Sequence, residues 1–163
     1  RPVAAEKMGH PRAMDIQGLR AHEAIRDLVA RYNINGDAGR FDDQIGLFTE
    51  DGWIEIPGPR RYEGHPRLRE LFSGATRSDA SSSPPERIAH HVSGLVIDFD
   101  TLEPTSASGA CYYAVLTRAG LDHWGRYEDI YRLEKNTWRF ASRRVSVDGL
   151  VSGGWAERNL STL

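Results

Sequence analysis

LVARYNINGDAGRFDDQIGLFTEDGWIEIPG, residues 28–58, changes backbone type three times. Its first part continues a stripe that begins upstream. Leu19, Ala24, Ile25, Leu28, Val29 and Tyr32 recur at the three-and-four spacing of an amphipathic helix, with Arg20, His22, Glu23, Arg26, Asp27 and Arg31 on the wet face. Gly36 predicts a stop in the left-handed conformation. A second helix is predicted from about Arg40 to Phe48, with Phe41, Ile45 and Phe48 inward. Trp53-Ile54-Glu55-Ile56 then reads as a strand ended by Pro57-Gly58-Pro59. Asp37 stands at the hinge beside Gly36. An aspartate next to glycine is ordinarily a turn residue, so the question is whether its carboxylate faces water or the interior.

Further along, Gly64-His65-Pro66 opens a third helix running to about Gly74, with Pro in the first turn and Leu68, Leu71 and Phe72 on the buried face. Residues 75–86, ATRSDASSSPPE, read as a polar loop or lid and as the segment expected to move. Four long β runs follow: IAHHVSGLVIDFD, SASGACYYAVLTR, HWGRYEDIYRLE and TWRFASRRVSVD. Helices followed by long antiparallel strands predict an α+β fold, with the helices on one face of a curved sheet. The expected organisation is a flexible arm or expression remnant over 1–15, a single domain over 16–150 and a C-terminal tail over 151–163.

Composition narrows the function classes. The chain of 163 residues is 39% hydrophobic and 27% charged, ordinary for one globular domain. A formal net charge of −2 leaves no electrostatic footprint for nucleic acid or an anionic membrane. No apolar run approaches the roughly 18 residues of a membrane span, and the first residues lack a signal-peptide core. The single cysteine, Cys111, allows no internal disulfide, leans the reading toward the cytoplasm and has no identifiable base as partner. Zinc spacing, a Walker motif and a dinucleotide glycine fingerprint are absent. The expected partner is a small-molecule substrate, with no metal and no cofactor.

Strand alternation assigns the interior. In the first long strand, His91, Ser93, Leu95, Ile97 and Phe99 share a face, and its apolar block places His91 inward; a bulge near Gly94 would exchange His91 for His90. In the third, His123, Gly125, Tyr127, Asp129 and Tyr131 share an aromatic face containing one carboxylate. A buried carboxylate must be hydrogen-bonded, paired or protonated. Asp129 is therefore a site residue, the partner of Arg143 or Arg144 on the next strand, or simply exposed.

The segments LVARYNINGDAGRFDDQIGLFTEDGWIEIPG and HWGRYEDIYRLEKNTWRFASRRV resemble the SnoaL-like branch of the nuclear transport factor 2-like superfamily. The likeness spans residues 19–148 and is carried by the helix-turn-helix with LFTED and by the closing GRY-x-D and W-R-F-A strands. It implies a cone-shaped barrel, three N-terminal helices held in a strongly bent, mainly antiparallel sheet around a deep apolar pocket. The superfamily hosts dehydratases, isomerases, cyclases, epoxide hydrolases and non-catalytic subunits, so the site must decide the function.

Three positions match bile-acid dehydratases of gut bacteria: a tyrosine, an aspartate five residues later and a histidine on the first long strand, here Tyr32, Asp37 and His91. Scytalone dehydratase and lindane dehydrochlorinase are similar in the aspartate and the histidine. The resemblance implies cofactor-independent elimination by an Asp37–His91 dyad. The imidazole takes a carbon-bound proton while the carboxylate fixes its tautomer, and Tyr32 donates to a developing oxyanion. Tyr127, Asp129 and His123 are expected to line the pocket and help protonate the leaving group, with Trp53 and Ile56 completing the lining. Thr117 stands where scytalone dehydratase has a second histidine. Ile56 stands where that enzyme has a tyrosine and where steroid isomerases have their base aspartate. Tyr32 and Asp129 match the isomerase oxyanion pair, which keeps an isomerase or polyketide cyclase as the alternative to a dehydratase-type lyase, beside a non-catalytic ligand-binding or assembly module. Relatives of this kind imply a homodimer through the outer sheet face.

Overall fold

The computed structural model describes residues 15–58, 60–77, 87–99 and 105–160. Helix α1 spans Ile16–Asp37, α2 Phe41–Ile45 and α3 Gly64–Arg77; strands β1 Phe48–Ile56, β2 Arg60–Glu63, β3 Ala89–Phe99, β4 Ser106–Thr117, β5 Gly120–Glu134 and β6 Thr137–Leu150 form one sheet, and α4 covers Trp155–Leu160. The α+β class is as expected from the patterning. Most of the sheet, in the order β2-β1-β6-β5-β4-β3, is antiparallel, but β1 runs parallel to β6 and makes it mixed.

Helix α1 begins at Asp15, whose side chain accepts from the Gly18 N–H at 2.8 Å. It runs past the predicted stop. Gly36 stays helical and Gly39, with φ of +69°, makes the turn, so Asp37 closes the last helical turn. The second helix is shorter than expected because Phe48 already belongs to β1. Side chains of α1, α3 and the inner sheet face form the core around Ile25, Leu28, Phe48, Leu68, Tyr131 and Phe140. At about 25 cal/mol per Å² of apolar surface, this burial is the main favourable contribution to folding.

Two elements add to those expected, and some expected segments lie outside what is described. The region expected as a tail forms a turn and α4, with Trp155 and Ala156 buried. A short strand, β2, precedes α3 and pairs antiparallel with β1. Residues 1–14 of the expected arm over 1–15, most of the expected lid over 75–86 and residues 100–104 lie outside the described residues. Among the described residues, no helix is long and apolar enough to cross a membrane.

Candidate functional site

A cavity of about 180 Å³ opens between α1, α3 and the inner sheet face. Its walls are mainly apolar, with Phe41, Ile54, Ile56, Leu71, Phe72 and Val145 among them. Its polar edge carries Tyr32, His90, Tyr113, His123 and Tyr127. An engineered protein cavity of about 150 Å³ takes benzene, so this space suits a compound built on a single ring. A larger concavity, about 360 Å³, lies across the sheet beside Trp53, Glu128 and Arg144. It has no histidine on its walls. Trp53 faces that side under the Arg61 guanidinium, which sits 3.7 Å from the ring centroid, so its expected place in the apolar pocket is corrected.

Asp37 does face inward. At the end of α1 its Oδ1 lies 2.5 Å from Nδ1 of His90, and Oδ2 accepts the His90 backbone N–H at 2.9 Å. The carboxylate can only accept, so Nδ1 carries the proton and Nε2 is the ring nitrogen left for a ligand. His91, the residue expected to make this pair, is exposed on the opposite face. The cause is a bulge. Ser93 pairs with Tyr112 but Val96 with Ala110, so Gly94 and Leu95 together oppose Cys111, and Gly94 takes φ of +64°. Leu95, Ile97 and Phe99 keep their inward face after the bulge, and His90 and Val92 share it before the bulge.

The aromatic face of β5 is placed as alternation predicted: His123, Tyr127, Asp129 and Tyr131 are all buried. Their roles divide. Tyr127 stacks on Tyr113 with centroids 4.5 Å apart and lines the cavity. Asp129 lies behind it. Its two oxygens receive Nε and Nη2 of Arg143, both at 2.8 Å, and Tyr131 donates to Oδ2 at 2.8 Å. Of the two uses foreseen for Asp129, pairing is the one present. Arg143 is wholly buried, with its guanidinium 4.1 Å from the Tyr32 centroid and 4.0 Å from that of Tyr127. Burial opposes its charge, yet Asp129 holds its pKa well above the ordinary value. Burial raises the Tyr32 pKa, with Arg143 acting against it, so the phenol is a hydrogen-bond donor at neutral pH.

His123 has a carboxylate of its own. Its Nδ1 lies 2.7 Å from Asp122 Oδ2, and burial pulls its pKa below the ordinary histidine value against the pull of Asp122. Trp155 packs its face over His123 at 6.1 Å and 19°. Sequence reasoning missed Asp122 and Trp155: the first sits where alternation puts an outward residue, and the second in a segment without periodicity. Cys111 is buried and its thiol is pushed up to about 11, so it is no nucleophile at neutral pH. Among the described residues, no three His, Cys, Asp or Glu side chains converge to hold a metal ion.

The model of the SnoaL-like domain matches residues 17–144. Among solved structures, the function-unknown protein Rv3472 from Mycobacterium tuberculosis is 29% identical, with 82% of this chain and 80% of that one covered and a TM-score of 0.69. A putative scytalone dehydratase from Novosphingobium aromaticivorans is 18% identical over 83% of this chain and 89% of that one, with a TM-score of 0.70. LinA is 17% identical over 85% and 95%, with a TM-score of 0.71. The last two likenesses show the fold alone. No curated protein matches the chain.

Proposed function

Since the chain belongs to the SnoaL-like family, a family of small-molecule pockets that includes enzymes, we propose that it is a cofactor-independent lyase. The proposed reaction is a dehydratase-type elimination on a small, apolar, ring-containing hydroxy-carbonyl compound. The observation that carries this reading is the Asp37–His90 contact of 2.5 Å at the edge of an apolar cavity. In the proposed reaction, Nε2 of His90 takes the proton next to the carbonyl while Asp37 stabilises the imidazolium that forms. Tyr32 donates to the enolate-like oxygen. The apolar walls exclude water and position the ring. The family match and the fold shared with a putative scytalone dehydratase and with LinA support this reading.

The isomerase or cyclase alternative needed Asp129 as the acting acid. Arg143 and Tyr131 occupy its oxygens, so it is not favoured. A concrete test uses the benzaldehyde–acetone aldol, a single-ring β-hydroxyketone whose dehydration to benzalacetone is followed by absorbance. His90→Gln and Asp37→Asn are each expected to lower turnover by about 10²–10⁴, and His91→Gln to leave it within about threefold. Loss of turnover in His91→Gln with full activity in His90→Gln sinks the assignment.

A further inference from the structure

The cavity is bordered by a second imidazole–carboxylate pair. Its origin is another break in alternation. On β4, Val115 pairs with His123 and Leu116 with Leu121, so Asp122 is the extra residue of a β-bulge. Adjacent strand residues normally point to opposite faces; here both Asp122 and His123 are buried, at 3% and 6% exposure. Bulges commonly re-aim a side chain in this way beside a functional site.

The resulting geometry fixes the second imidazole. Nδ1 of His123 is 2.7 Å from Asp122 Oδ2, leaving Nε2 as its uncommitted nitrogen. The edge of His123 meets Tyr113 at 5.8 Å and its face meets Trp155. Asp122 is itself held by the backbone N–H groups of Trp155 at 2.5 Å and Ala156 at 3.0 Å, which donate to its two oxygens. Two imidazoles, one on β3 and one on β5, therefore border one cavity, each with Nδ1 committed to a carboxylate.

We propose that Asp122 and His123 form a second proton-transfer pair, in which His123, charged as the imidazolium with its Nδ1–H on Asp122, hands its Nε2 proton to the leaving oxygen while neutral His90 takes one from carbon. This rests on the elimination reading above. The step balances. The C–H bond breaks, its proton goes to His90 Nε2 and its electron pair becomes the new C=C bond. The C–O bond breaks, its pair leaves on oxygen, and the proton from His123 Nε2 turns that oxygen into water. His90 is then the charged imidazole and His123 the neutral one, and loss of a proton from His90 to solvent with uptake of one at His123 restores the starting state. Burial, and the charge that His90 gains as it takes the carbon proton, push the Nε2 proton off His123, while Asp122 holds its charged form. Asp122 acts through His123 and is a positioning residue.

The test compares two leaving groups on one skeleton: the benzaldehyde–acetone aldol and its acetate ester, which leaves as acetate without needing a proton. His123→Gln is expected to lose about 100-fold on the alcohol and less than about threefold on the acetate, whereas His90→Gln loses both. Asp122→Asn, which keeps an acceptor for the α4 backbone, is expected to follow the His123 pattern more weakly. Equal losses on both substrates in His123→Gln, or none on either, overturn the proposal. If the unaltered protein eliminates neither compound, the elimination reading falls and the leaving-oxygen step with it. Nitrogen NMR of the histidines then judges the pairing alone. Above its titration midpoint His123 is expected as the Nδ1–H tautomer and below it as the imidazolium, with a midpoint that rises when His90 is replaced by Gln. The Nε2–H tautomer, or an unmoved midpoint, overturns the pairing.

Discussion

Arg143 and Asp129 show how much a buried charge depends on its partner. Both side chains are fully shielded from solvent, the contact is bidentate, and Tyr131 adds a third hydrogen bond to the carboxylate. A pair of this kind is weak evidence for net stabilisation, but removing one partner strands the other charge and costs about 3–5 kcal/mol. Arg143→Met is expected to destabilise by that amount in urea unfolding, and Arg143→Met with Asp129→Leu to recover much of the loss. Additive losses in the double variant would contradict this account. His123 makes a separate, pH-dependent contribution. Its folded pKa lies below the ordinary 6.5, chiefly through burial, so between that folded value and 6.5 the unfolded chain binds more protons. Folded-state stability therefore falls as pH drops through this window. The slope of Tm against pH below 6.5 is expected to be shallower in His123→Gln than in the unaltered protein. His22, also lowered by burial, keeps part of that slope in both.

At the scale of elements, the site is built by two bulges, and this is where legibility in the sequence ended. The α1 stripe from Ile25 to Tyr32 and the aromatic face of β5 were readable because each repeats with the period of its own helix or strand, whereas Leu19 and Ala24, expected in that stripe, are exposed. His90 was not assignable over His91, because a single extra residue reverses every side chain upstream of it. Gly94 was the only cue, since a glycine inside a strand often marks a bulge. Asp122 had no such cue: the bulge on β5 contains no glycine, and strict alternation assigned Asp122 to solvent. Both devices can be probed without touching a ligand. At Gly94, a Cβ must adopt a positive φ and meets the Tyr112 ring at 3.3 Å. Gly94→Ala is expected to cost roughly 1–2 kcal/mol and to lower turnover by loosening His90. At Gly154, an added Cβ comes within 2.6 Å of Asp122 Oδ1 and 2.8 Å of the Val151 carbonyl. Gly154→Ala is therefore expected to displace the first turn of α4 from Asp122, lowering both Tm and turnover of the hydroxyketone. An unchanged rate in this variant would separate α4 from the chemistry.

At the scale of the molecule, the sheet has two faces with different tasks. The inner face holds the cavity and the core. On the other, Tyr112, Trp124 and Ile130 are exposed at 60%, 38% and 43%. The register sets Tyr112 opposite Arg126, Trp124 opposite Ala114 and Ile130 opposite Ser108, so all three lie on one face of the β4–β5 ribbon. Arg126 pairs with Asp148 and Arg144 with Glu128 around them, giving an apolar patch rimmed by both signs of charge. A patch of that composition can match itself across a twofold axis, the geometry of an isologous dimer, and we propose this face as the homodimer contact. A standard interface buries about 800 Å² per partner and is most sensitive at its central aromatic residues. Trp124→Glu is expected to shift the protein from dimer to monomer in sedimentation velocity. The side chain at 124 points away from the cavity, so a monomeric variant that still dehydrates the hydroxyketone would show that each subunit carries a complete site. Sedimentation of the unaltered protein as a monomer at micromolar concentration would remove the outer face from the argument and leave the inner one untouched.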